Sequence, residues 1–240
     1  MTKIYVLGIG YKPLDEKARQ IIHNSHVILA SNRLYEVFKR YEEFETVKDR
    51  IIVINNVDDT INFMKFQIST QGGLCPPCEI PKRIIIILAS GDPLFFGIGR
   101  RVINEFGKNM VEILPDLSSI QMAFSRIKEP WDNAFFMSLH GGPGITKRRK
   151  PEYGLKDIPV LLEGHRKIAI LTDRENNPAE IARILNSSPI TKRLQLKIYV
   201  CERLGYTDEK ITEGTPEAIA QMRFSEPNVV IILSSPAFPV

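Results

Sequence analysis

Nowhere in the 240 residues is there an apolar run near the roughly 20 residues that cross a bilayer as a helix. A helical membrane span is therefore not expected. The chain opens straight into a strand-like run, Lys3 to Ile9, with no signal-peptide pattern, so the cytoplasm is the expected location. Cysteine is scarce: there are 3, and only Cys75-Pro76-Pro77-Cys78 has the two-residue spacing of zinc and thiol redox centres. No second pair or nearby His completes a four-ligand zinc site. The pair lies in a loop between Gly72-Gly73 and Pro81, not between a strand and a helix. An incidental loop pair is the reading, a zinc site shared across a dimer the alternative, and no metal is expected. Charge of one sign is also lacking. The net charge of +4 comes without a long basic stripe, and suits an acidic small molecule at least as well as nucleic acid.

Catalytic templates are missing too. No Gly-Lys-Ser/Thr phosphate loop is present. Gly8-Ile9-Gly10 lacks the third glycine of a dinucleotide fingerprint, and no acidic residue ends the second strand at Ala30. No Gly-x-Ser-x-Gly nucleophile elbow occurs. His23 and His26, on or near a helix end, read as surface or partly buried residues and not as ligands.

What the sequence does have is Ile84 to Gly99. Its first half is an unbroken aliphatic run, the pattern of a strand buried on both faces of a parallel sheet. It stops at Gly91-Asp92-Pro93, a tight turn in which Gly tolerates positive φ and Pro fixes the chain leaving it. Gly97 and Gly99 follow at the start of a helix, where absent side chains admit close approach. In open α/β sheets ligands bind at the carboxyl ends of strands. The turn thus reads either as a binding edge or as a plain strand-to-helix connection.

Around this centre, a buried strand is predicted at Lys3 to Ile9, a short strand at Val27 to Ala30 and a third strand at Arg50 to Asn55. Another runs from Met110 to Leu114. Helices are predicted at Pro13 to Ser25, from a Ser31 cap to about Arg40, from Asp58 to about Ile68, and up to Phe106. Leu114-Pro115-Asp116 marks a boundary, giving domains 1–115 and 116–240. The second half opens with a helix at Ser118-Ser119 and continues with strands at Ala134 to Leu139 and Arg166 to Leu171. A helix follows that begins at Pro178. Leu196 to Cys201 and Lys210 to Glu213 alternate, as antiparallel strands do, before a last apolar run at Asn228 to Leu233. The fold class is α/β. A mostly parallel N-terminal sheet with helices on both faces is followed by a mixed-sheet C-terminal α/β domain, with a cleft between them. The strand-end turns offer backbone groups more than acid–base side chains, an inventory suited to catalysis by positioning.

These motifs resemble the tetrapyrrole methylases, two-domain enzymes that use S-adenosylmethionine. The likeness is carried, in the family's order, by Val6 to Gly10, by Ser90-Gly91-Asp92-Pro93-Leu94-Phe95-Phe96-Gly97, by Ser118-Ser119, and by the C-terminal α/β half. Three further stretches are similar to the cobalamin-pathway branch that methylates carbon 5 of precorrin-7 or cobalt-precorrin-7. They are Ser138-Leu139-His140-Gly141, Leu171-Thr172-Asp173 with Asn177 to Ala182, and Leu204-Gly205-Tyr206 through Ile211. The chain departs from that branch in its short first turn, Gly10-Tyr11-Lys12-Pro13, and in Gly142, where an Arg often follows the His-Gly pair.

The resemblance implies S-adenosyl-L-methionine as methyl donor, leaving S-adenosyl-L-homocysteine. Its neighbours would be Tyr11, Gly91, Asp92, Phe95, Ser118 and Ser119, with Leu139, Leu171, Thr172, Cys201 and Glu202 from the second domain. Core packing is the other reading for Phe95 and Leu171, helix capping for Ser118, and bracing of its own turn for Asp92. The acceptor would be an acidic tetrapyrrole, met by Arg33, His140 and Arg174, with Lys147 to Lys150 assisting or simply a solvated loop. A homodimer is expected, with carbon-15 methylation and decarboxylation left to a separate protein, and no nucleic-acid partner. Two readings compete: a same-fold methyltransferase acting on protein or RNA, similar to diphthine synthase or a ribosomal RNA methylase, and a non-catalytic nucleotide- or nucleic-acid-binding module.

Overall fold

The structure, a computed structural model, describes residues 2–69, 83–140 and 153–236. Cys75, Cys78 and Lys147 to Lys150 lie outside the described residues. The chain divides into two compact units, Met1–Ser118 and Ser119–Val240.

The first unit is built on β1 (Lys3–Ile9), β2 (Val27–Ala30), β3 (Ile51–Val53), β4 (Ile84–Ser90) and β5 (Val111–Leu114). All pairings are parallel and the order is β3-β2-β4-β1-β5. The aliphatic runs of β1, β2 and β4 form inner strands with both faces covered, whereas the edge strand β3 leaves Ile52 and Val53 exposed. One face, with Ile4, Val6, Val27, Leu29, Ile85 and Ile87, packs on Ile61 and Met64 of α4 (Val57–Ser69) and Val102 of α5 (Gly99–Phe106). α2 (Asn32–Phe38) packs against β1, β2 and β4 through a separate set of buried residues, Leu34, Val37 and Phe38. Burying side chains of this size yields about 1.5–3 kcal/mol each.

Helix starts follow their capping residues. Asp15 accepts from the Ala18 N–H at 2.8 Å to open α1 (Glu16–His23), so that helix begins after Pro13 and not at it. Ser31 caps α2 by accepting from Leu34 N–H. A four-residue helix, α3 (Phe44–Val47), follows.

The second unit contains α6 (Ser119–Ile127), β6 (Ala134–Ser138), α7 (Ile158–Gly164), β7 (Lys167–Leu171) and α8 (Pro178–Ser187). It continues with β8 (Leu194–Glu202), β9 (Lys210–Gly214), α9 (Pro216–Ile219) and β10 (Asn228–Pro236). The sheet is mixed, in the order β6-β7-β10-β8-β9: β6 and β7 are parallel and the remaining pairs antiparallel. Asn177 caps α8 through the Glu180 N–H at 3.1 Å, with Pro178 in the first turn. Met137, Ile168, Ile170, Ile181, Leu185, Ile198, Val200 and Ile232 form its core.

Candidate active site

In the first sheet the chain leaves β1 toward β2 and leaves β4 toward β5, in opposite directions. Between adjacent β1 and β4 the winding therefore reverses, and the carboxyl ends of two such strands open a crevice where ligands sit. The Gly8–Lys12 and Gly91–Gly99 turns both start there. They lie against each other and against the segment after β5. A Cβ on Gly8 would stand 1.9 Å from Gly91 O and 2.6 Å from Asp116 N; one on Gly91 would stand 2.5 Å from Leu117 O. Gly91 has φ +58°, so two constraints require glycine at this one position. Its N–H donates to Ile9 O at 3.0 Å, and its carbonyl accepts from Asp116 N–H at 3.3 Å.

Asp92 braces its own turn, Oδ1 accepting from Leu94 N–H at 2.8 Å. Leu94 and Phe96 stand exposed, and Phe96 (φ +54°) packs edge-on against Phe95 with ring centroids 5.0 Å apart. Arg33, exposed near the start of α2, reaches Ser90 Oγ at 3.5 Å. Ser118 is buried and Ser119 begins α6. The structure thus brings Tyr11, Gly91, Asp92, Phe95 and Arg33 to one edge of one sheet.

The first turn does not offer its N–H groups as the sequence suggested. Gly10 N–H donates to Tyr41 Oη at 2.7 Å, and Tyr11 and Lys12 N–H donate to Asp116 Oδ2 at 2.8 and 3.3 Å. Asp116 Oδ1 accepts from Leu117 N–H at 2.7 Å. Neither Tyr41 nor Asp116 stood among the sequence candidates. Their partners are distant in sequence, and Asp116 was marked only as part of the Leu114-Pro115-Asp116 boundary.

The register of the second sheet aligns its candidates: Leu171 lies opposite Ser138 and Val229, and Val229 opposite Cys201. Leu139, Leu171, Thr172, Cys201 and Glu202 therefore share the end of the sheet where β6, β7 and β8 finish. Leu139 N–H continues the ladder to Leu171 O at 2.8 Å, and its carbonyl accepts from Asn176 Nδ2 at 3.3 Å. Asn176 is held in turn by Asp173 Oδ1. His140 and Arg174 are exposed beside these turns, with Ser138 Oγ 3.3 Å from His140 N–H.

Thr172 is buried, its hydroxyl 2.8 Å from Asn228 O and 2.5 Å from Asn228 Oδ1. Replacing it with Val should cost about 1–3 kcal/mol, because buried Asn228 oxygens lose their donor; denaturant unfolding reads this directly. Cys201 has no exposed surface, and burial first, then the charges of Glu209 and Glu202, push its thiol up to about 12. Glu202 Oε1 accepts from Ser225 N–H at 2.7 Å, while Oε2 is buried without a hydrogen-bond partner. Burial pushes the Glu209 carboxyl upward, but hydrogen bonds from Arg126 and from Gly205 N–H outweigh it and hold the group below its ordinary value. Among the described residues no group of three or more His, Cys, Asp or Glu could hold a metal ion, and no helix is long and apolar enough to cross a membrane.

A doubly wound sheet with glycine turns at its reversal point, joined in one chain to a mixed-sheet α/β unit, is an architecture that binds ligands at strand ends. The chain belongs to the tetrapyrrole (corrin/porphyrin) methylases, whose family pattern it matches over residues 3–220. It is 29% identical over 226 residues to a Methanocaldococcus jannaschii protein named probable cobalt-precorrin-7 C(5)-methyltransferase, covering 92% of this chain and 93% of that one. The cobalt-precorrin-7 C(5)-methyltransferase of Salmonella typhimurium is 32% identical over 149 residues, 62% of this chain and 65% of that protein. The solved precorrin-6Y methylase of Archaeoglobus fulgidus superposes with a TM-score of 0.64 at 21% identity over 97% of both chains, a likeness of fold.

Membership makes the chain an S-adenosylmethionine-dependent methyltransferase. The residues present fit such a donor. A sulfonium is cationic and carries no phosphate, and the crevice supplies the carboxylates Asp92 and Asp116, the exposed apolar surface of Leu94 and Phe96, and open space beside Gly10.

Proposed function

We propose that this chain methylates carbon 5 of precorrin-7 or cobalt-precorrin-7. The likeness to the Methanocaldococcus jannaschii protein over 92% of the chain carries this reading. S-adenosylmethionine, when bound, supplies an activated methyl group. The first unit holds it at the β1–β4 reversal with Tyr11, Gly91, Asp92, Phe95, Ser118 and Ser119. In the second unit Leu139, Leu171, Thr172 and Glu202 are the residues the resemblance offers as donor contacts, whereas Cys201, with no exposed surface, is a core residue. As the carbon–methyl bond forms, the methyl–sulfur bond breaks and the ring carbon's proton leaves to water; alignment of the reacting groups supplies roughly 7–11 kcal/mol of such a barrier.

Arg33, His140 and Arg174 recognise the carboxylates of the macrocycle, the arginines by forked hydrogen bonds. Arg33→Ala should raise KM for the macrocycle roughly five- to tenfold and leave KM for the donor unchanged; steady-state kinetics separates the two. The enzyme works in the cytoplasm as a homodimer. Incubation with purified precorrin-7, with and without cobalt, plus donor tests the reading. Mass spectrometry should find one added methyl group, and an unmodified macrocycle in both reactions would refute it.

A further inference from the structure

Successive backbone N–H groups in a turn make a concavity that attracts anions, and glycine turns that open helices use such groups for phosphate. The first turn has three N–H groups in a row, and each meets an oxygen of the chain's own side chains. Gly10 meets Tyr41 Oη, and Tyr11 and Lys12 share one carboxylate oxygen of Asp116.

We propose that Asp116 is a positioning residue: a resident anion that fills the first turn's concavity, sets its shape for the methyl donor, and shuts out phosphate-bearing ligands. The inference rests on the donor site described above and adds to it the reason a phosphate-free, cationic ligand is taken.

Three observations support it. The two carboxylate oxygens together accept three backbone N–H groups, at 2.8 and 3.3 Å from the first turn and at 2.7 Å from Leu117. Asp116 N–H also donates to Gly91 O, so one residue ties the β1 turn, the β4 turn and the segment after β5. Tyr41, which takes the remaining N–H, is kept a neutral phenol. Burial raises its pKa most, the hydrogen bond from Gly10 N–H works against that, and the Asp116 charge adds to it. The negative charge in the turn is therefore carried by Asp116. A carboxylate there repels an incoming phosphate and is compatible with a sulfonium.

The test uses the full chain with Asp116→Ala and Asp116→Asn. Amide hydrogen exchange is followed at Tyr11 and Lys12, and S-adenosylhomocysteine binding by calorimetry. In Asp116→Ala both amides should exchange at least about tenfold faster and the ligand should bind about tenfold more weakly. Excess formate, which replaces the lost carboxylate, should restore both, a rescue that misfolding cannot give. Inorganic phosphate should slow exchange of the same amides in Asp116→Ala and not in the wild-type chain. Asp116→Asn, which keeps an acceptor without the charge, should fall between, and it carries the test if Asp116→Ala does not fold. Unchanged exchange and affinity in a folded variant, or a loss that formate does not repair, would overturn the proposal. A wild-type chain that binds S-adenosylhomocysteine but leaves precorrin-7 unmethylated removes the substrate assignment alone. A wild-type chain that binds no S-adenosylhomocysteine removes the donor site, and the exchange and formate arms still decide what Asp116 does.

Discussion

Gly8→Ala is expected to lower the unfolding free energy of the chain by about 3 kcal/mol or more, the upper end of what overpacking costs. Alanine has no rotamer that could turn its methyl aside. The Cβ would lie 1.9 Å from Gly91 O and 2.6 Å from Asp116 N, both backbone atoms, so the chain itself must shift. β1 sits inside the sheet, paired with β4 on one side and β5 on the other, and Gly8 faces Ala89 in register. Relief on one side therefore disturbs the other.

Two controls separate crowding from backbone strain. Gly10→Ala has nothing within 4 Å of its new methyl, and its φ of +135° leaves strain as the only cost. It should lose about 1–3 kcal/mol. Gly91→Ala carries both penalties, φ +58° and a methyl 2.5 Å from Leu117 O, and should stand nearer to Gly8→Ala. Denaturant titrations rank the three. S-adenosylhomocysteine binding should weaken in Gly8→Ala even where it is still folded, since the β4 turn must move to make room. A Gly8→Ala chain as stable as wild type would mean that the three segments do not meet as closely as the geometry requires.

The parts of the molecule readable from the amino-acid order are those fixed by neighbours in sequence. β1, β2 and β4 begin and end where the aliphatic runs do, because a strand buried on both faces must be apolar throughout. The alternation of β8 and β9 announced their antiparallel pairing, although β8 starts at Leu194, ahead of the alternation at Leu196. Ser31 and Asn177 cap their helices through residues three positions away. α3, α7 and α9 escaped notice, since a helix of four to seven residues shows too few turns to display a period.

The site divides on the same line. Gly91, Asp92 and Phe95 stand in one contiguous motif, so the sequence alone shows that they share a turn. Asp116 and Tyr41 act on Tyr11 and Gly10 across 105 and 31 positions, and the Thr172–Asn228 contact spans 56. Pairings of that reach follow from strand order, which no local pattern contains. Only the family resemblance pointed to a donor site at all, and it could not show that the first turn's N–H groups are already taken.

Alkaline pH should destabilise the wild-type chain more steeply than Cys201→Ala. The folded thiol titrates at about 12, whereas in the unfolded chain it titrates near 8.5. Below the unfolded value both states hold the proton and stability does not depend on this group. Between the two values the folded chain keeps a proton that the unfolded chain has released. Stability is therefore lost as pH rises through that window, by about 1.4 kcal/mol for each unit. Tyr5, Tyr41 and Tyr199, all raised first by burial, add losses of the same sign, but they are common to both chains and cancel in the comparison. Cys201→Ala should start less stable at neutral pH, from the lost packing, and approach the wild type as pH climbs. Equal slopes would place the thiol in contact with solvent. The same burial has a chemical consequence for an enzyme that holds a methylating agent. A thiolate is the reactive form of cysteine, and a thiol kept protonated does not compete with the macrocycle for the methyl group. Iodoacetamide at neutral pH should accordingly leave the Cys201 peptide unmodified in the folded chain and label it once the chain is unfolded.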